Sequence, residues 1–303
     1  MPDDAPLWTL DGVSLGPARL RDISLTIHPG VTAVLGWSGA GKTSLLNLLV
    51  GFEKPERGII AGPRSVSWVP QNGGLWPHCT AHEHLAIVRP GAEENEEVLA
   101  AFDLLDRSEA RPGELSEGER ARLSVARALV ARADVLVMDE PLVHVDPERA
   151  GNFWRVIREH LAASGASLVF ATHDPERVLG EAQEVICLRG GSVLHEGSVA
   201  ALYSDPPSAE LMECLGPGNW LTGAEAELWL DQPAERPRCY RPEQLEISTS
   251  NISHVVVRSA TFRGAVAEVE LHHLNAAVSR RFFHRPAGRT LQPGFPAAIR
   301  LRD

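Results

Sequence analysis

Gly36-Trp37-Ser38-Gly39-Ala40-Gly41-Lys42-Thr43 decides how this chain is read. The eight residues fit the pattern G-x-x-x-x-G-K-[ST], and their neighbours supply the context that pattern requires. Val31–Leu35, just before it, is a short apolar, β-branched run of the kind buried on both faces of a parallel sheet. Thr43–Val50, just after it, has apolar residues at helical spacing. The order is strand, glycine loop, helix. Glycines let successive backbone N–H groups point inward and form an anion nest at the positive end of a helix. The expected phosphate-binding positions are Gly36, Ser38, Gly39, Ala40, Gly41, Lys42, Thr43 and Ser44. The Lys42 ammonium is expected between the β- and γ-phosphates. The Thr43 hydroxyl is expected on Mg²⁺, a hard cation that prefers oxygen ligands. The pattern therefore implies a bound nucleoside triphosphate.

Further along, a second apolar strand, Val135–Met138, ends at Asp139-Glu140-Pro141, and a third, Ser167–Ala171, ends at Thr172-His173-Asp174. A carboxylate closing a buried strand, Asp139, suits Mg²⁺ held through water. Glu140 is the expected base for the attacking water, a role that contributes about 10²–10⁴-fold in rate. Helical stretches lie at Glu119–Arg132 and Arg149–Ala163, and Ser14–Pro29 reads as strand material before the loop. Strands alternating with helices predict a parallel sheet covered on both faces, with ligands at the carboxyl ends of its strands.

The 303 residues suggest two domains at about 150 residues each. Hydrophobic content of 44% supports a core, and 23% charged residues is ordinary for a folded chain. Lys+Arg 29 against Asp+Glu 40 leaves a formal charge of −11, which argues against a general nucleic-acid binder. No stretch approaches the roughly 20 apolar residues of a membrane span. The start of the chain carries Asp3 and Asp4 and no basic run, unlike a signal peptide. Cys79, Cys187, Cys214 and Cys239 show no CxxC spacing, as expected of a reduced intracellular protein. The histidines at 78, 82, 84, 272 and 273 show no ligand pattern for a metal. The breaker cluster Gly216-Pro217-Gly218 separates this region from a β-leaning remainder with strands expected at Ile252–Ser259, Gly264–Leu271 and Ala297–Leu301. The expected domains are 1–215 and 216–303.

Leu115-Ser116-Glu117-Gly118-Glu119 resembles the LSGGQ signature of ATP-binding cassette (ABC) ATPases, and Ser124-Val125-Ala126-Arg127-Ala128-Leu129 resembles the usual continuation. Val69-Pro70-Gln71 is similar to the Q-loop, and Leu75-Trp76-Pro77-His78 to the segment that often follows it in importers. Val143-His144-Val145-Asp146 falls where the D-loop does, and Thr172-His173-Asp174 resembles the switch histidine. The resemblance covers roughly residues 10–215. It implies an α/β P-loop NTPase cassette, with a parallel-sheet core, an antiparallel β subdomain and a helical subdomain. Tyr240-Arg241-Pro242-Glu243 resembles the Val-Arg-Pro-Glu of the TOBE-type domain of importer ATPases, implying a small C-terminal OB/TOBE-like β domain.

What the resemblance implies for function is an ATPase using ATP and Mg²⁺. Two copies close head to tail, so that Ser116 and Gly118 of one cap the γ-phosphate held by the other. Gln71 would sense Mg²⁺ and the γ-phosphate, His173 would hold the γ-phosphate, Glu140 and the water, and Asp146 would join Ser116 and Gly118 among the nucleotide-binding residues. The implied partners are a second copy, two transmembrane permease subunits and, through them, an extracytoplasmic solute-binding protein, with no nucleic acid. The implied location is the cytoplasmic face of the membrane, with residues around Gln71–His84 receiving the permease. The solute class is open: inorganic ion, polyamine, thiamine or sugar. An exporter ATPase and a soluble cassette acting on ribosome or DNA are the alternatives. Three departures stand out. Glu117 and Glu119 replace Gly and Gln, the D-loop keeps only Asp146 of Ser-Ala-Leu-Asp, and no adenine-stacking aromatic is obvious, with Leu15 or Gly16 near its place and Trp8 an outside candidate.

Overall fold

The structure is a computed structural model that describes residues 5–63, 65–91, 93–250, 253–286 and 291–302. By its own packing the chain falls into two units, Met1–Val199 and Ala200–Asp303.

The first unit opens with β1 (Trp8–Leu15) and β2 (Leu20–Ile27), an antiparallel hairpin with Trp8 opposite Ile27 and Leu15 opposite Leu20. The sequence reads Ser14–Pro29 as one strand region. The structure instead turns at residues 16–19, where Gly16 takes φ +62°, so the apolar side chains of two strands face one core. After β3 (Val31–Leu35) and α1 (Lys42–Leu49), β4 (Arg57–Ala61) pairs with β1 to complete a three-stranded antiparallel sheet. There follow β5 (Val66–Val69), α2 (Ala81–Val88), α3 (Glu94–Ala101), α4 (Glu117–Val130), β6 (Val135–Asp139), α5 (Pro147–Ser164), β7 (Ser167–Thr172), α6 (Pro175–Glu181), β8 (Glu184–Arg189) and β9 (Ser192–Ser198).

The main sheet has the order β5-β6-β7-β3-β8-β9. Its first five strands are parallel, and β9 runs antiparallel to β8 at the edge. All residues of β6 and β7 are buried, as a sheet covered on both faces requires. One apolar cluster joins Trp8, Leu20 and Ile23 of the hairpin to Leu45 and Leu46 of α1 and to Val135 and Val169 of the main sheet. Burial of this face fixes α1 and the loop before it. Helices α2, α3 and α4 pack on one another as the helical part. Arg122 of α4 donates to the carbonyls of Phe102 (2.5 Å) and Asp103 (3.1 Å) that end α3.

The second unit contains α7 (Val199–Ser204), which starts at the division, α8 (Ala209–Cys214), β10 (Asn219–Leu221), α9 (Gly223–Leu230), β11 (Arg238–Tyr240), β12 (Leu245–Thr249), β13 (Val255–Arg263), β14 (Val266–His273), β15 (Val278–His284) and β16 (Ala297–Leu301). Its sheets are β10-β11, β12-β16 and β13-β14-β15, all antiparallel. Trp229, Leu245, Val257, Leu271 and Phe282 centre its core. Of the expected strands, Ala297–Leu301 coincides with β16 and Gly264–Leu271 overlaps β14. The expected Ile252–Ser259 begins at a residue outside those described and corresponds to β13 from Val255.

The packing division at 199/200 precedes the boundary read at 215/216. The reason is Arg241, 2% exposed. Its guanidinium donates to the carbonyls of Tyr203 (2.9 Å), Met212 (3.2 Å), Gly216 (3.1 Å) and Pro217 (3.2 Å) and lies 4.2 Å over the Tyr203 ring. These bonds tie residues 203–217 to the β unit, so the Gly-Pro-Gly breaker lies inside it.

Candidate functional site

Four neighbouring strands, β5, β6, β7 and β3, carry the chemistry-bearing segments at their carboxyl ends, the usual ligand edge of an open α/β sheet. Gln71 follows β5, Asp139 and Glu140 end β6, His173 follows β7, and the glycine loop follows β3. Register lines them up: Leu35 pairs with Thr172, Asp139 with Ala171, and Val69 with Met138.

The loop is held by the bond from Ala40 N–H to Trp37 O (3.0 Å) and enters α1 through Gly41 at φ +106°. A Cβ at Gly41 would stand 2.7 Å from Arg19 O, so both dihedral and space demand glycine. Lys42, 7% exposed, donates to Gly36 O (2.8 Å) and Trp37 O (3.4 Å), and lies 3.5 Å from Glu140 Oε1. A buried ammonium resting on two neutral carbonyls suits an arriving anion. The Ser44 hydroxyl accepts from Arg19 Nε (3.0 Å), and Arg19 is also paired to Glu53 by two bonds of 2.6 Å.

Thr43 Oγ1 donates to Asp139 Oδ2 at 2.6 Å across 96 positions of sequence. Burial pushes the Asp139 carboxyl above its ordinary value; the Thr43 hydrogen bond and Lys42 oppose this, and the charge of Glu140 adds to it. A desolvated carboxylate touching a hydroxyl is a hard-oxygen pair that fits Mg²⁺, with Thr43 and Asp139 as the residues to hold it and Gln71 beside the same strand ends. Glu140 sits at φ +49° and Leu142 at φ +63°, two non-glycine residues in the left-handed region, each costing on the order of 1 kcal/mol or more. The Glu140 N–H donates to Ala171 O (3.0 Å), and His173 Nδ1 donates to Glu140 Oε2 (3.0 Å). Carboxylate, imidazole and ammonium thus form one chain of contacts: His173, Glu140, Lys42.

Ser116 is the N-cap of α4. Its hydroxyl accepts from Glu119 N–H (3.2 Å), while Glu119 Oε2 accepts from Ser116 N–H (2.8 Å), a reciprocal capping box. The backbone N–H of Ser116 holds the Glu119 carboxyl below the usual carboxylate range. Glu119 therefore turns its charge into its own helix end. Asp146 caps α5, its Oδ1 accepting from Glu148 N–H (3.0 Å). A cleft of about 240 Å³ brings together Gln71, Glu117, Asp139, Glu140 and His144. Ser116 and Gly118 lie at the head of α4, while Lys42 and Thr43 lie at the head of α1; this chain holds them on separate elements.

Trp8 is removed from the candidates for stacking on a base: it is 1% exposed and its indole N–H donates to Leu49 O (3.1 Å). Leu15 is 6% exposed and packs in the same core. His84 is a core histidine. Trp76 N–H donates to its Nε2 (2.8 Å) and its Nδ1 donates to Thr80 O (2.7 Å), so both nitrogens are satisfied in one neutral tautomer. Sequence reasoning missed Arg127, a mostly buried cation that donates to Gly74 O (2.7 Å) and Gly73 O (3.2 Å) and lies 5.0 Å over the Trp76 ring. It holds the turn after Gln71. The available signal was its place on the buried face of α4, three positions after Ser124.

The sequence profile of the family described as "ABC transporter" matches residues 20–143. An Fe(3+) ions import ATP-binding protein of Rhizobium meliloti is 35% identical over 66% of this chain and 62% of its own length. A second, from Rhodococcus jostii, is 30% identical over 96% of both chains. Among solved structures, one titled as the ATP binding subunit of an ABC transporter superposes with a TM-score of 0.59 over 65% of this chain and 92% of its own, at 23% identity. A dimeric ATP-binding cassette in a post-hydrolysis state bound to ADP and Pi superposes with a TM-score of 0.57 over 63% of this chain and 98% of its own, also at 23% identity. These two similarities carry the cassette fold.

Proposed function

Because the chain belongs to the ABC transporter family of cassette ATPases, we propose that it is the ATP-hydrolysing subunit of a binding-protein-dependent importer for a small solute. The observation that carries this reading is the meeting of Lys42, the Thr43–Asp139 pair and the His173–Glu140 pair at one edge of the sheet. Lys42 would exchange its loop carbonyls for phosphate oxygens. Thr43 and Asp139, with Gln71, would hold Mg²⁺, which when bound neutralises charge on the phosphates. Glu140 would take the proton of the attacking water, and His173 would keep its carboxylate oriented. Positioning and charge neutralisation then account for most of the rate.

Ser116 and Gly118 stand at the head of α4, on a different element from the phosphate cradle at the head of α1, which supports the paired arrangement in which each copy caps the nucleotide of the other. Asp146 would lie at that seam. Two permease subunits and an extracytoplasmic binding protein complete the machine, with this chain on the cytoplasmic face. Among the described residues no helix is long and apolar enough to cross a membrane, so attachment through protein contact is the fitting arrangement. The relatives' names make ferric iron the first solute to test. Residues 216–303, which lie within the second unit, would form a TOBE-like regulatory β domain, a reading supported by the antiparallel sheets there.

The test is ATP turnover by the chain reconstituted in vesicles with its permease pair. Stimulation by iron-loaded binding protein supports the importer reading. Turnover by an isolated single copy, with a rate constant independent of protein concentration and no ATP-dependent pairing, would sink it.

A further inference from the structure

Two residues at which this chain leaves the family pattern touch each other. Glu117 stands where the signature has glycine, and His144 stands in the loop that otherwise reads Ser-Ala-Leu-Asp. His144 Nδ1 lies 3.7 Å from Glu117 Oε2. The backbones are also close: a Cβ at Gly118 would be 3.0 Å from His144 O. The loop after β6 and the first turn of α4 thus lie against each other at both side chain and main chain.

The charges around them make the contact purposeful. Glu119 is engaged by the Ser116 N–H and lies 3.5 Å from Arg107 Nε. Glu117 instead points outward, 68% exposed, on the turn that the paired reading presents to a triphosphate. Arg120 Nη2 is 3.9 Å away, but its Nη1 is committed to Leu115 O (2.6 Å) and Pro112 O (3.4 Å). A carboxylate beside an incoming phosphate repels it by roughly 1 kcal/mol at a few ångströms even in water-like surroundings. The His144 ring, 3.7 Å away, gives that carboxylate a partner on the facing loop.

We propose that His144 is a positioning residue that, with its ring against Glu117 and its main chain against Gly118, holds residues 143–146 on the head of α4, so that ATP-driven pairing of two copies depends on this couple. The inference rests on the paired reading of the proposed function. The test is a double-mutant cycle on ATP- and Mg²⁺-dependent dimerisation, measured by sedimentation in a Glu140→Gln background that stalls turnover. His144→Ala should weaken dimerisation about tenfold, counting two contacts per dimer. His144→Lys, which keeps a nitrogen donor facing Glu117, should stay within about twofold of the background. Glu117→Gly combined with His144→Ala should match Glu117→Gly alone. An equal loss from His144→Ala with and without Glu117, or a His144→Lys variant as weak as His144→Ala, overturns the proposal. If the Glu140→Gln chain itself stays single with ATP, the paired reading falls and takes this inference with it.

Discussion

Replacing Glu140 by glutamine is the substitution with the most to say about the site. Glutamine keeps the volume, so the contacts 3.0 Å to His173 and 3.5 Å to Lys42 persist in shape, while the proton acceptor and one negative charge are gone. Loss of a general base costs about 10²–10⁴-fold, or roughly 3–5 kcal/mol in the barrier. Nucleotide binding should move the other way. Lys42 no longer divides its charge between Glu140 and the phosphates. Asp139, raised partly by the charge of Glu140, ionises more readily for Mg²⁺. Removing a carboxylate within about 6 Å of a triphosphate is worth roughly 1–3 kcal/mol at an effective dielectric near 20, so Kd for ATP should tighten by about five- to 150-fold. Single-turnover phosphate release measures the first quantity and titration calorimetry the second. Turnover within threefold of the parent, or ATP affinity weakened tenfold, would refute the base assignment.

Glu119→Gln should leave stability within about 0.5 kcal/mol, because glutamine closes the same capping box, whereas Ser116→Ala should cost about 1 kcal/mol; denaturant titration separates them. Stability of the whole chain should fall as pH drops below about 6.5. Burial holds His84 below the ordinary histidine value, so the unfolded chain binds the proton first and acid favours unfolding. His84→Gln should flatten that slope in thermal melts without abolishing it, since burial lowers His160 and His284 as well. Arg241→Met should destabilise the second unit by about 3–5 kcal/mol, because four carbonyls lose a charged donor, and should appear as an early transition in calorimetry.

The local signals of the candidate site were legible in the residues. A phosphate nest is a property of consecutive backbone N–H groups, so Gly36–Thr43 between an apolar run and a helix announces itself without any tertiary information. The acids at 139 and 140 and the histidine at 173 were legible for a different local reason, as polar residues at the ends of buried strands. The capping role of Glu119 was within reach of the Ser-x-x-Glu spacing. Other features depend on which elements become neighbours, and that is set by sheet order, register and burial. The order β5-β6-β7-β3 carries Thr43 to Asp139 and His173 to Glu140. Core packing claims Trp8, which by type alone could have faced a base. Arg241 draws residues 203–217 into the second unit, where Gly216-Pro217-Gly218 by itself suggested a boundary. The meeting of Glu117 with His144 belongs to this second kind, because a pair 27 positions apart can touch only after α4 and the loop beyond β6 have been packed side by side.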